Sequence, residues 1–322
     1  MKSFLSLIRL PNLLVIAFTQ FAMKYLVMDP LLPSASFSLQ FSNIHFLLLV
    51  LATLLIAAAG YIINDYFDTR PDRINKPSRV VIGVSITRRT AMTLHSLFNI
   101  LGIGIGIYLS ISIGLLVLSM IFMLTTGLLW FYSTNYKRQL LIGNLIIAFL
   151  TSMVPVVIVL FEIPMLNKEY GQVMLQYDRN FMYIFFWVGG FGLFAFLTTL
   201  IREIIKDAKD FEGDAAYGMR SLPIVVGTKA TKGILAFLIL TTLFLLVFVL
   251  IKFIMFSGDQ VDFISLIYFM VFLVLPLFVL LTLILVATNK TDYHRAGIVI
   301  KIIMLFGVLY SFVVYYLINF WL

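Results

Sequence analysis

Two acidic segments hold the residues best suited to chemistry. The first reads Asn64-Asp65-Tyr66-Phe67-Asp68-Thr69-Arg70-Pro71-Asp72, and the second Lys206-Asp207-Ala208-Lys209-Asp210-Phe211-Glu212-Gly213-Asp214. Asp65, Asp68 and Asp72 stand at i, i+3 and i+7, and Asp207, Asp210 and Asp214 repeat that spacing. At 3.6 residues per turn, each trio falls on one helical face. Like charges so arranged repel, and more strongly where water is scarce. Each stripe therefore needs counter-charge, from neighbouring Lys and Arg or from divalent cations. The chain has no Cys and only three scattered His, namely His45, His95 and His294. All-oxygen ligation points to Mg2+, Mn2+ or Ca2+. Mg2+ is typically held by one or two carboxylates plus phosphate oxygens of a substrate. Two stripes facing each other would hold two or more Mg2+ around one diphosphate. Pro71 and Gly213 predict that each helix breaks near its third Asp. Solvated charge at a helix end would account for one stripe, but not for two of matched spacing beside Lys and Arg.

Cations stand close by. Arg73, Lys76 and Arg79 follow the first stripe, Arg202 and Lys206 open the second, and Lys137 and Arg138 end a predicted fourth membrane span. Arg and Lys bind phosphate oxygens that metal ions leave unneutralised. Arg88, Arg89, Lys229 and Lys232 read instead as ordinary cytoplasmic positive charge.

The elements that position these groups must lie in a membrane. Of 322 residues, 62% are hydrophobic and 12% charged, against roughly 45–50% and ~25% in soluble domains. Mean hydropathy is +1.07. Buried volume in water cannot hide so much apolar surface, which excludes a soluble enzyme or a disordered regulator; the lack of Cys excludes a disulfide scaffold. Spans of ~20 apolar residues fall near 11–28, 44–63, 90–110, 113–132, 141–161, 181–201, 233–255, 264–288 and 298–320. The first is a span and not a signal peptide, because Asp29-Pro30 follows its long apolar run. With the N-terminus inside, nineteen of the 23 Lys and Arg fall on inside segments, so the N-terminus and both acidic segments are expected to be cytoplasmic. The net charge of +8 then reflects membrane topology and predicts no nucleic-acid partner. Stretch 164–180 reads as a plain outside surface loop.

The early Asn-Asp-x-x-Asp-x-x-x-Asp and the later Lys-Asp-x-x-Asp-x-x-Gly-Asp resemble the UbiA-type intramembrane prenyltransferases. So do Asp72-Arg73-Ile74-Asn75-Lys76-Pro77-Ser78-Arg79, Tyr132-Ser133 followed by Lys137, and Gly143-Asn144. The resemblance covers essentially the whole chain. Val80 stands where such members commonly carry Pro, a departure that touches the local turn and not the chemistry. The resemblance implies Mg2+-dependent transfer of an isoprenoid chain from a polyprenyl diphosphate to a lipophilic acceptor. It implies a cavity open sideways to lipid. Asn64, Asp68 and Asp72, with Asp65 beside them, would be one metal set, and Asp207, Asp210 and Asp214 the other. Asp68, Asp72, Asp207 and Asp210 are the expected catalytic acids. Lys137 with Tyr132, Arg79, and further Asn64, Arg73, Lys76, Arg202 and Lys206 are the expected diphosphate contacts.

The expected fold is therefore all-α and a single domain over 1–322. Nine membrane helices surround a central cavity, with a cytoplasmic cap from the 2–3 and 6–7 loops. The two stripes are offset by a constant 142 residues, which suggests four-helix halves at about 11–132 and 141–288, with helix 298–320 added. The Asp72–Arg79 stretch, with Arg202-Glu203-Ile204-Ile205-Lys206-Asp207, is most similar to members that prenylate geranylgeranylglyceryl phosphate. Such an acceptor brings a second anion, and Arg73, Lys76, Arg202 and Lys206 are cations to meet it. Aromatic acceptors of quinone, tocopherol or chlorophyll type are the alternative. A cation-coupled transporter would place its ion site nearer the bilayer midplane, and a structural membrane protein has no use for twin carboxylate stripes.

Overall fold

A computed structural model describes residues 2–33, 36–75, 80–176, 178–254 and 261–320. Among the described residues, nine helices are long and apolar enough to cross a membrane. They are α1 (Leu10–Met28), α2 (Asn43–Asn75, apolar over Asn43–Thr69), α3 (Arg88–Ser112), α4 (Leu116–Thr134) and α5 (Ile142–Gln176). Then follow α6 (Met182–Lys209), α7 (Leu222–Ile254), α8 (Phe263–Val286) and α9 (Lys290–Phe320). Helices satisfy their backbone polar groups internally, which is what lipid demands. With 33 and 35 residues, α2 and α5 exceed the ~20 needed to span. The end of α2 carries the first acidic stripe, and the end of α6 with the short helix after it carries the second.

Four expectations change. Pro71 does not end α2, which continues through Asp72 to Asn75. A proline forfeits only the bond from its own nitrogen and crowds one preceding carbonyl, a defect a helix tolerates near its end. Gly213 does not break the second segment either. The break falls at Asp210 (φ −91°, ψ 10°), and Gly213 lies inside a short following helix, Phe211–Ala216. Stretch 164–180 is no loop over most of its length, since α5 runs on through Pro164 to Gln176. Leu166 and Met174 are buried on that extension, and the Tyr170 hydroxyl accepts from Gln40 Nε2 at 3.0 Å. Helix α7 starts at Leu222, well before the expected 233, with Pro223 in its first turn and a kink at Gly227 (φ 80°, ψ 163°) that only glycine adopts without strain.

The chain forms two compact units, Met1–Lys137 with Met153–Gly189, and Arg138–Ser152 with Gly190–Leu322. In the first, Leu7, Leu13, Ala58, Ile62, Ile82 and Ala91 cluster around the middle of α2. At the start of α2, buried Glu162 accepts the backbone N–H groups of Gln40 and Phe41, while buried Lys24 donates to Phe41 O at 2.7 Å and Asn43 Oδ1 at 3.3 Å. In the second, Ile201, Ile204, Leu235, Leu277, Ile284 and Ile300 join α6, α7, α8 and α9 in one core. Gly307 of α9 lies under the Phe194 ring, where a Cβ would come within 2.1 Å of Cε1. Small residues of this kind let membrane helices approach closely.

Candidate functional site

The first acidic segment lies in roughly the last three turns of α2. Asn64 and Asp68 are buried there, 9% and 6% exposed, and Asp65 and Asp72 are half-buried. Lys137 reaches them from the short turn Tyr136–Arg138 that follows α4. Its Nζ donates to Asn64 Oδ1 at 3.3 Å and to Asp68 Oδ2. Sixty-nine residues or more separate these partners in sequence, yet the fold makes them one charge-assisted group. Tyr132, one turn earlier on α4, is buried. Asp65 points to another cation: Arg9 Nη2 donates to its Oδ1 at 2.6 Å. The Arg9 guanidinium also lies 5.0 Å from the Tyr61 ring centroid, a cation–π distance. Arg9 holds left-handed backbone (φ 52°, ψ 54°) just before α1. Lys76 and Arg79 lie outside the described residues, as does the side chain of Arg73.

The second segment spans the end of α6 and the helix Phe211–Ala216. Asp207 is half-buried in the last turn of α6, and its Oδ2 accepts from Asn144 Nδ2 of α5 at 2.9 Å. Asp210, 5% exposed, sits at the break, with Lys209 Nζ 3.9 Å from its Oδ1. Its carbonyl accepts the Asp214 backbone N–H at 3.1 Å, which fixes half-buried Asp214 one turn on. Arg202 and Lys206, expected at a diphosphate, both engage Glu203 in the structure. Arg202 Nη2 lies 2.7 Å from Glu203 Oε1 and Lys206 Nζ 3.1 Å from Oε2.

Three residues escaped the motif reading. Arg9 counted only as inside charge, and nothing in the sequence pairs it with a residue 56 positions away. Asn144 stands in the recognised Gly143-Asn144 pair, which carried no role. Glu203 was readable, because its i+3 spacing to Lys206 is a standard helix ion pair.

Among the described residues, no three His, Asp or Glu side chains converge to hold a metal ion by themselves. The donors on both segments are oxygens, each set has an ammonium close by, and no nitrogen or sulfur ligand competes. Such a set fits Mg2+, which takes few carboxylates and leaves positions for water and phosphate oxygens.

Residues 31–305 match the UbiA prenyltransferase family model. A digeranylgeranylglyceryl phosphate synthase of Sulfolobus acidocaldarius is 32% identical over 254 residues, covering 75% of this chain and 77% of that one. Its counterpart in Methanothermobacter thermautotrophicus is 34% identical over 178 residues, covering 55% of this chain and only 54% of the relative's length. Among solved structures, a digeranylgeranylglyceryl phosphate synthase aligns with a TM-score of 0.63 at 24% identity, covering 97% of this chain and 98% of that one. A UbiA homologue from Archaeoglobus fulgidus, bound to GPP and Mg2+, aligns with a TM-score of 0.56 at 14% identity, covering 97% and 99%. These likenesses show the fold. The family match spans most of the chain, the Sulfolobus relative covers more than two thirds of it, and nine apolar helices make it an integral membrane protein: the chain belongs to the UbiA prenyltransferase family.

Proposed function

We propose that the chain transfers a geranylgeranyl group from geranylgeranyl diphosphate to geranylgeranylglyceryl phosphate, with Mg2+, to form a diether lipid phosphate. The observation that carries this reading is the Asn64–Asp68–Lys137 group at the end of a membrane helix, in a chain whose curated relatives bear the digeranylgeranylglyceryl phosphate synthase name. The acceptor hydroxyl oxygen bonds to C1 of the allylic chain. The C1–O bond to diphosphate breaks, its electron pair leaves on the diphosphate, and the hydroxyl proton is released. Bound Mg2+ supplies charge neutralisation to the leaving diphosphate. Asn64, Asp68 and Asp72, with Asp65 next to them, and Asp207, Asp210 and Asp214 are the residues that would hold it. Lys137, with Tyr132, Arg73, Lys76 and Arg79, meets diphosphate oxygens directly. The apolar helices keep water from the electron-poor allylic carbon.

In this reading a central cavity opens sideways to lipid, and the 2–3 and 6–7 loops cap it from the cytoplasm. Matched stripe spacing supports two related four-helix halves, and the Lys and Arg distribution supports cytoplasmic acidic segments. Tyr217, 45% exposed beside the second stripe, is a suitable label position in a Cys-free chain. In intact cells, Tyr217→Cys should resist a membrane-impermeant maleimide and react after permeabilisation; ready labelling from outside would reverse the orientation.

Ligand-dependent thermal stability tests the activity most cheaply. A ligand at a hundred times its Kd stabilises the folded state by about 2.7 kcal/mol. Geranylgeranyl diphosphate should raise Tm with Mg2+ present and lose that effect with EDTA. A metal-independent shift, or none, would contradict the reading.

A further inference from the structure

Glu203 lies within α6, one turn before Asp207, with a side chain only 8% exposed. Its two carboxylate oxygens are each taken by a cation of the same helix, Oε1 by Arg202 Nη2 at 2.7 Å and Oε2 by Lys206 Nζ at 3.1 Å. Each oxygen keeps a lone pair, but both are turned to these two cations, which sets Glu203 apart from the acids of the stripe. The Arg202 guanidinium, by contrast, is not used up. It carries five N–H donors in a rigid fork, and its Nε is buried with no hydrogen-bond partner among the described residues. A buried donor left unpaired is costly, so this N–H is available to an anion or a water molecule. The side chains of Arg202 and Lys206 remain 28% and 33% exposed, so an anion can reach both. Two cations fixed by one acid leave a net positive charge in a set geometry. That is a receptor for a phosphate monoester, and it differs in kind from Asp207 and Asp210, which carry Asn144 and Lys209 as neighbours.

We propose that Glu203 is a positioning residue that holds Arg202 and Lys206 to receive the phosphate of the acceptor lipid, apart from the cations that meet the donor diphosphate. This rests on the transfer to a phosphorylated glycerol lipid proposed above. Simple Coulomb attraction and positioning predict opposite signs for one substitution. Glu203→Gln removes a negative charge beside an anion site, which by charge alone strengthens anion binding. If Glu203 instead holds Arg202 and Lys206 in place, the same change weakens it.

The test measures initial rates of the full-length protein with geranylgeranyl diphosphate and geranylgeranylglyceryl phosphate varied in turn. Dephosphorylated geranylgeranylglycerol is offered in parallel. Glu203→Gln should raise the KM for the phosphorylated acceptor about tenfold or more, the worth of a charged hydrogen bond, while the KM for the diphosphate stays unchanged. Arg202→Gln should cut the preference for the phosphorylated over the dephosphorylated acceptor by a similar factor, and Arg202→Lys should restore part of it. An unchanged or lowered acceptor KM in Glu203→Gln, or a loss carried by the diphosphate KM, would overturn the proposal. If Glu203→Gln does not fold, the preference ratios of Arg202→Gln and Arg202→Lys decide: an unaltered ratio rejects it. Failure of the wild type to use the glycerol phosphate would refute the underlying transfer, and is seen before any variant is made.

Discussion

Asp68→Ala and Asp210→Ala are each expected to abolish prenyl transfer while leaving a folded, monodisperse protein. Both acids are buried, 6% and 5% exposed, and neither belongs to an apolar core cluster. Each removal takes an oxygen donor from its stripe without opening a cavity in either core. Removing one preorganised electrostatic group from an active site commonly costs about 10²–10³ in kcat, and in the reading above these acids also hold Mg2+. The loss should reach at least that range. Asp68→Ala has a second effect, because it strips Lys137 of its carboxylate partner. A partly buried charge without its counter-charge destabilises, so Asp68→Asn, which keeps shape and polarity, separates folding from chemistry. It should fold as the wild type does and remain inactive. Near-wild-type turnover in Asp68→Asn or Asp210→Ala would remove the matched stripes from the mechanism.

Lys137→Met should be almost as severe. Among the described residues, Lys137 is the cation that the structure brings onto Asn64 and Asp68 together, and Met preserves most of its length while removing the charge. Before substrate arrives, its ammonium offsets the carboxylate of Asp68. In the proposed reaction, once a diphosphate is bound, the same ammonium donates to an oxygen whose charge grows as the C1–O bond breaks. Interactions that strengthen on the way to the transition state appear in kcat and not only in KM. The expected result is a fall in kcat of roughly 10²-fold with a raised KM for the prenyl diphosphate. Lys137→Arg keeps the charge in a longer planar group and should recover part of the loss. A Lys137→Met enzyme changed in KM alone would make this residue a binding contact and nothing more.

The membrane architecture was legible because hydropathy acts over twenty residues at a time. All nine helices coincide with predicted spans, and their errors lie at the ends. Those ends carry the acidic segments: Asn43–Thr69 reads as a span, but Asp72 belongs to the same continuous helix past a proline. Pro71 misled because breaker rules describe helix interiors, and Gly213 because the chain turns at Asp210 instead. The extension of α5 to Gln176 was hidden in a polar stretch, held by the buried Leu166 and Met174. At the site, the stripes were written in local spacing. Lys137 stood out in sequence only as an expected diphosphate contact, and its donation to Asn64 and Asp68 is visible only in the structure. Arg9 with Asp65 and Asn144 with Asp207 join residues 56 and 63 positions apart, and no local pattern encodes such pairs. Glu203 is the instructive omission. Its spacing to Lys206 was plain, but its burial between two cations, which turns a surface ion pair into a positioned group, exists only in the folded chain.

The most direct test is a product assay with purified protein, Mg2+ and geranylgeranyl diphosphate, offering geranylgeranylglyceryl phosphate, a hydroxybenzoate and a dihydroxynaphthoate in separate reactions. The account predicts a digeranylgeranyl ether lipid from the glycerol phosphate, no product once EDTA removes the metal, and no prenylated aromatic. Product from an aromatic acceptor, and none from the glycerol phosphate, would contradict it.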